Sequence, residues 1–279
     1  MKISFKYYFS LTLFYTALIL PQTAITDQFN YALKLFNEEK YFDAVTEFKR
    51  LLFFDQDSLY TFQANLLIGR AYKQGGKYSE ALQYFTLAGI YARKPQEIFS
   101  AKIEIIKVNI LARRISWALR LIDELDQDVK YNNKKDEINY WRGWAYIFND
   151  DWENAAEFFG KISPDHELKK LADKVEEDKY SPIFAKISSF IIPGAGQFYT
   201  GNYLSGLISL AWNALWGYIT INSFIAERYF DGIMTGNFLW LRFYSGNIQN
   251  AEKFAVEKNL EITNSALGYL QNKYQGEKP

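Results

Sequence analysis

The sequence predicts an all-α protein in two parts: a helical solenoid of about four helix pairs with a 37-residue period, then an apolar helical hairpin domain. Two observations predict it. Between Asp27 and about Ile162, four classes of position recur at one fixed interval, and from Ser181 to Ala251 charge almost vanishes from the chain. A repeat of this length marks stacked supersecondary units. A long uncharged run marks a helix that meets lipid or lies wholly buried.

Ala44, Ala81, Ala118 and Ala155 are 37 residues apart, as are Ala32, Gly69, Ile106 and Gly143; Phe48, Phe85, Ile122 and Phe159; and Tyr41, Tyr78, Ile115 and Trp152. A small residue in each half of the unit lets two helix backbones approach closely. The aromatic four residues after each alanine, or Ile122 in the third unit, lies one turn along the same face. Glu38 to Lys40, Gln74 to Lys77 and Phe148 to Asp151 separate the helices, with Gly75 and Gly76 suited to a left-handed cap. Each unit leaves an apolar face that only its neighbour covers.

Gly69, Ala71, Tyr72, Ala81, Phe85 and Ala88 in the second unit, and Gly143, Tyr146, Ala155 and Phe159 in the fourth, resemble the tetratricopeptide repeat (TPR). The period is three residues longer than that family's ~34, and Ile106, Asn109 and Ile122 depart from its pattern. The resemblance implies a concave groove, lined by the first helix of each pair, that binds a protein or peptide. By offset it places Leu33, Arg70, Lys107 and Trp144 in the groove, with Phe36, Lys73, Ile110 and Ile147 one turn further along. Arg70, Lys73 and Lys107 are expected either to receive a partner's carboxylate or to stand as solvated side chains.

Ahead of the repeats, Lys2 and Lys6 precede an apolar run from Phe9 to Leu20, and Pro21 to Ala24 break it. The run falls short of the ~20 residues of a spanning helix and reads as a secretory signal over residues 1–26. With the signal cleaved, or kept as an anchor, the following region is exported to the periplasm-facing side of a bacterial cell envelope.

Composition narrows the function classes. Lys+Arg and Asp+Glu are equal at 32 each, so no net charge favours nucleic acid. The absence of cysteine excludes disulfides, thiolate metal sites and thiol nucleophiles. The single histidine, His166, lies in the turn Ser163 to Glu167 and reads as a solvated turn residue. No catalytic, cofactor-binding or metal-binding residues stand out, and no enzyme is expected. Gly194, Gly196 and Gly201 lack the spacing, preceding strand and Gly-Lys-Ser/Thr of a phosphate cradle.

After the fourth unit, residues 164–180 read as a capping helix and linker with an apolar stripe of Leu168, Leu171, Ala172 and Val175, ended by Tyr180-Ser181-Pro182. From Ser181 to Ala251 the only charges are Lys186, Glu227, Arg228, Asp231 and Arg242. Tyr203 to Ile225 carries none, and at ~1.5 Å per residue it reaches across a ~30 Å hydrocarbon layer. Ile183 to Ile192 and Ile233 to Leu241 are too short to span alone. A guanidinium at Arg242 is costly in such surroundings unless paired, with Gln197, Asn213 or Glu227 as expected partners.

The residues Pro193, Gly194, Gly196, Gln197, Tyr199 and Gly201, with Arg242, Tyr244, Gly246 and Asn247 downstream, resemble the signature of small bacterial membrane hairpins of the TM-two type. The resemblance implies a membrane-associated domain over residues 181–259 and no established activity. Pro193 to Gly201 reads as the turn handing a short apolar helix over to Tyr203 to Ile225. Residues 260–279 read as a short helix and a polar tail. The expected function is a membrane-tethered scaffold that binds a protein partner during envelope or membrane-protein assembly. The alternative is a component of an insertion or transport machine with a polar path around Gln197, Asn213 and Arg242.

Overall fold

A computed structural model describes residues 24–279, so the expected signal lies outside the described residues as far as position 23. Every regular element among the described residues is helical. The chain divides into two compact units inside one helix: the first ends at Lys169, and the second runs from Lys170 to Glu277.

In the first unit, helices follow one another at short turns: α1 (residues 24–37), α2 (Tyr41–Phe54), α3 (Thr61–Gln74), α4 (Tyr78–Tyr91), α5 (Pro95–Leu111) and α6 (Ile115–Gln127), then a 3-10 turn (Val129–Lys134), α7 (Lys135–Phe148) and α8 (Trp152–Ile162). From α2 onward each helix packs on the next as far as α8, and α5 also packs directly on α3 and on α7.

The 37-residue period reappears in the backbone itself. Glu39, Gly76, Arg113 and Asp150 all take left-handed φ, at 60°, 70°, 57° and 59°. Beyond each, the next residue donates its N–H back across the turn: Lys40 to the Leu35 carbonyl, Lys77 to Tyr72, Arg114 to Asn109 and Asp151 to Tyr146, at 2.8–3.0 Å. This is the Schellman ending, which satisfies carbonyls left over at a helix C-terminus. Glycine occupies the left-handed position only at Gly76.

The repeated side chains are core. Ala44, Ala81, Ala118 and Ala155, with Phe48, Phe85, Ile122 and Phe159, are all 0% exposed. A Cβ on Gly69 would stand 2.6 Å from two Phe85 ring carbons, and one on Gly143 would stand 2.6 Å from Phe159. In the third unit, where the aromatic becomes Ile122, the small residue becomes Ile106, also fully buried. The departure of that unit from the repeat pattern is therefore an exchange of volume across one contact.

The second unit takes most of α9 (Glu167–Asp178), then α10 (Pro182–Ile191), α11 (Ala195–Tyr199), α12 (Tyr203–Ile225) and α13 (Tyr229–Thr235). A π turn (Gly236–Trp240) leads into α14 (Leu241–Asn272). Ser181 starts α10 by accepting the Phe184 N–H at 3.2 Å, with Pro182 at the first helical position. Three antiparallel pairings organise the unit, the most extensive being α10 against α14, which bury Ala185, Ala251 and Ala255 between them. Helices α10 and α11 fold back on each other, with Gly196 against Ala185 and Tyr199 near Ser181. Helix α12 runs against α13 and α14: Trp212 meets Phe243 at 5.4 Å, Gly217 faces Trp240, Thr220 bonds Thr235 at 3.2 Å, and Gly232 lies under the Phe224 ring.

The expected short C-terminal helix is instead the continuation of α14 to Asn272. No proline and no glycine interrupt residues 247–267, and Ala255, Ala266 and Leu270 keep a buried stripe on it, so the helix has no reason to stop near residue 260.

Candidate functional site

The signature residues of the second unit assemble where α10 turns into α11. Gly194 takes φ 93°, and a Cβ there would lie 2.3 Å from the Gly206 carbonyl oxygen. Only glycine meets both demands. Gly196 likewise sits where a Cβ would overlap the Ala185 carbonyl at 2.1 Å. Unwinding the chain between the two helices strands backbone groups in apolar surroundings, and each must find a partner.

The partners come from α14 and from Gln197. Asn247 Oδ1 accepts the Gly194 N–H at 2.9 Å and a Gln197 Nε2–H at 2.8 Å, while its Nδ2 donates to the Ser189 carbonyl at 3.1 Å. The Tyr244 hydroxyl donates to the Phe190 carbonyl. Ser189 Oγ accepts the Gly196 N–H at 2.8 Å and donates to Gln197 Oε1 at 3.0 Å. Ser189, Gln197 and Asn247 are at most 3% exposed. Tyr199 receives the Ser181 N–H at 3.1 Å and packs edge-on against Tyr180 and Phe184. Gly201, at φ 77°, ends α11 with a Schellman turn, Asn202 N–H to the Gln197 carbonyl at 2.8 Å. The two halves of the signature are thus the two sides of one hydrogen-bonded lock around the Pro193 turn.

Gln197, Asn213 and Arg242 do not converge. Gln197 is committed to the lock. Asn213 is buried on α12, where its Nδ2 donates to the Ser209 carbonyl at 2.8 Å and its Oδ1 has no hydrogen-bond partner among the described residues. Arg242 is exposed, five residues before buried Asn247 and on the opposite face of α14, and neither Gln197, Asn213 nor Glu227 reaches it. The pairing expected for Arg242 fails because that face of the helix packs against nothing in the unit.

Around the lock the unit is apolar outward and polar inward. Helix α12 buries Gly206, Asn213, Gly217, Thr220 and Ser223, and exposes Leu204 (73%), Tyr218 (69%) and Ile225 (74%). Ile183, Phe190 and Ile191 on α10, and Phe230 and Ile233 on α13, are also exposed. Among the described residues, α12 is long and apolar enough to cross a membrane, and only 22% of its most apolar window is buried.

In the first unit the expected groove cations meet a carboxylate of the chain itself. Glu104, 4% exposed on α5, is approached by Arg70 Nε at 2.8 Å, Lys73 Nζ at 3.2 Å and Lys107 Nζ at 3.8 Å. Burial pushes the Glu104 carboxyl up, but Lys73, Lys107 and Arg70 together outweigh it and hold it below the usual carboxylate value. Burial, helped by Lys107 and Arg70, holds the Lys73 ammonium below the usual lysine value. Lys107 lies 4.4 Å over the Trp141 ring. Lys107, Trp144, Ile110 and Ile147 are 0–5% exposed and line no open groove, because the first helices of successive pairs pack on one another there. Leu33 and Phe36 are half-buried against the first core cluster. Arg70 is the groove cation that keeps a 41% exposed side chain.

His166 is no solvated turn residue. It stacks on Phe159 at 5.2 Å and 10°, meets Tyr140 edge-on, and its Nδ1 accepts the Leu168 N–H at 3.2 Å at the start of α9. No cluster of three metal-ligating side chains occurs among the described residues. Compared with known proteins, no family model, curated protein or solved structure matches the chain.

Proposed function

We propose that the chain is a non-enzymatic, membrane-tethered scaffold of the bacterial cell envelope. Its first unit is a TPR-like solenoid of four helix pairs that binds a protein partner, and its second unit is a helical hairpin held in the bilayer. The observation that carries the reading is the inside-out second unit, with polar side chains locked inward and aliphatic side chains exposed along α10, α12 and α13. In water that surface is a large exposed apolar patch, and lipid is the solvent that suits it.

Helix α12 and the return through α13 and α14 supply two crossings. The paired α10 and α11, ~15 Å long at ten residues for α10, enter partway and come back. Unwound backbone at membrane depth is tolerated when protein groups satisfy it, which is the work of Asn247, Gln197, Ser189 and Tyr244. Recurrence of one turn geometry every 37 residues supports the solenoid.

Alkaline carbonate extraction of membranes from cells expressing the full chain tests the anchor; retention with the lipid pellet is expected, and release into the supernatant refutes it. A photoreactive residue replacing Arg70 tests the partner surface, with a discrete crosslinked protein expected that is lost when Glu104→Gln disturbs the cluster.

A further inference from the structure

Charged residues mark two levels in the second unit. At one end Lys186 pairs with Glu252 at 2.9 Å, and at the other Arg228 approaches Asp231 at 3.8 Å. From Asp231 to Glu252 is 21 residues of helix, or ~32 Å at ~1.5 Å each, close to a ~30 Å hydrocarbon layer. Arg242 lies 11 residues from the first and 10 from the second, hence ~15 Å from either level.

At that depth the exposed face of α14 is polar. Arg242, Ser245 and Gln249 follow at i, i+3 and i+7, all exposed and all on the side away from buried Asn247 and Ala251. None of the three side chains has a hydrogen bond or ion pair within the chain among the described residues. Gly246, beside them, has open space where a Cβ would stand. The neighbouring exposed side chains Phe238, Leu241 and Phe243 are apolar. The π turn Gly236–Trp240 comes just before this stripe, where one extra residue in the turn resets which side chains face outward.

We propose that this stripe seats a transmembrane helix of another protein that carries a carboxylate near the middle of the bilayer. The inference rests on the membrane reading of the second unit. An arginine at mid-depth calls for a counter-anion, and the chain holds no Asp or Glu between Asp231 and Glu252 or between Asp178 and Glu227. A second copy does not fit. Two-fold pairing about an axis along the membrane normal would set Arg242 against Arg242. A partner carboxylate pairs bidentately with the guanidinium, Ser245 and Gln249 offer hydrogen bonds on either side, and Gly246 lets the helix backbones close.

The test uses the full chain reconstituted in phosphatidylcholine vesicles, with a fluorescent host peptide of alternating Leu and Ala bearing one central Glu, and matched peptides with central Leu or with the Glu moved one turn from the end. Energy transfer reads association. The central-Glu peptide is expected to associate at least ten-fold more tightly than the other two, Arg242→Lys to keep most of the preference, and Arg242→Gln to abolish it. Equal association of all three peptides, or a preference that survives Arg242→Gln, overturns the proposal. So does self-association of the chain that excludes the peptide, or a preference that disappears once phosphatidylglycerol is included, which would assign the guanidinium to lipid phosphate. Flotation of the same vesicles at alkaline pH separates the two ideas: a chain that does not float sinks the anchor and the docking face together, whereas a chain that floats without Glu preference sinks the docking face alone.

Discussion

Replacing Asn247 by alanine removes the acceptor of the Gly194 N–H at 2.9 Å and the donor to the Ser189 carbonyl at 3.1 Å. Gln197 Nε2 also loses an acceptor, but keeps the Asn247 carbonyl at 3.0 Å and Ser209 Oγ at 3.4 Å. Two buried backbone groups are therefore left without a partner, at about 1–3 kcal/mol each, or about 2–6 kcal/mol together. That is a large share of the about 5–15 kcal/mol that holds an ordinary domain folded. Amide exchange in residues 192–201, followed by mass spectrometry on the full chain in vesicles, reads the local opening. At 1.4 kcal/mol per decade, exchange there should accelerate by at least ~30-fold, while Asn250→Ala on the exposed side of the same helix leaves it within about three-fold. Unchanged exchange in Asn247→Ala would show that the side chain does not hold the turn, and the account of the signature as a lock would fall with it.

Three further outcomes follow from the first unit. Gly69→Ala forces a Cβ to within 2.6 Å of the fully buried Phe85 ring, at about 1–3 kcal/mol, and exchange in α3 and α4 should rise; Gly69→Ile with Phe85→Ile, copying Ile106 and Ile122, should be more protected than Gly69→Ile alone. Glu39→Gly relieves a left-handed residue worth roughly 1 kcal/mol, so slower exchange at the end of α1 is expected and faster exchange would contradict it. Burial holds His166 below its usual 6.5, so the folded state favours the neutral ring: its contribution is complete above that value and is lost as pH falls through it toward the lower folded value. The start of α9 should accordingly exchange faster at pH 5 than at pH 7.5, beyond the intrinsic pH effect, and His166→Asn, which keeps a capping acceptor, should flatten the difference.

The helix pairs were legible in the sequence because small and large residues recur at matched positions, and burial of those positions follows. The turns were less legible. Only Gly76 advertises a left-handed residue, whereas Glu39, Arg113 and Asp150 adopt the same conformation under the pull of the helices around them. Glu104 carried a weak signal, an acid set among Ile103, Ile105 and Ile106, and its role appears only when Arg70 and Lys73 come across from α3. The partner of the Pro193 turn was not legible, since Asn247 lies more than fifty residues downstream and nothing local links it to Gly194. Polar composition masks the continuity of α14 past residue 260, whereas the absence of any proline or glycine from residues 247–267 favours it.

Tyr180 and Asn259 hold each other by two reciprocal bonds, the Tyr180 N–H to Asn259 Oδ1 and Asn259 Nδ2 to the Tyr180 carbonyl, both 2.8 Å. Between them the chain reverses three times, an odd number, because α11 retraces α10, α12 turns back from α11, and α13 with α14 retraces α12. The chain therefore departs beside the point where it came in, and this clasp acts as a gate post common to both traffic directions. Whatever is fused after Asn259 shares a doorway with Ser181, while the bend at Glu227 stands alone at the far threshold.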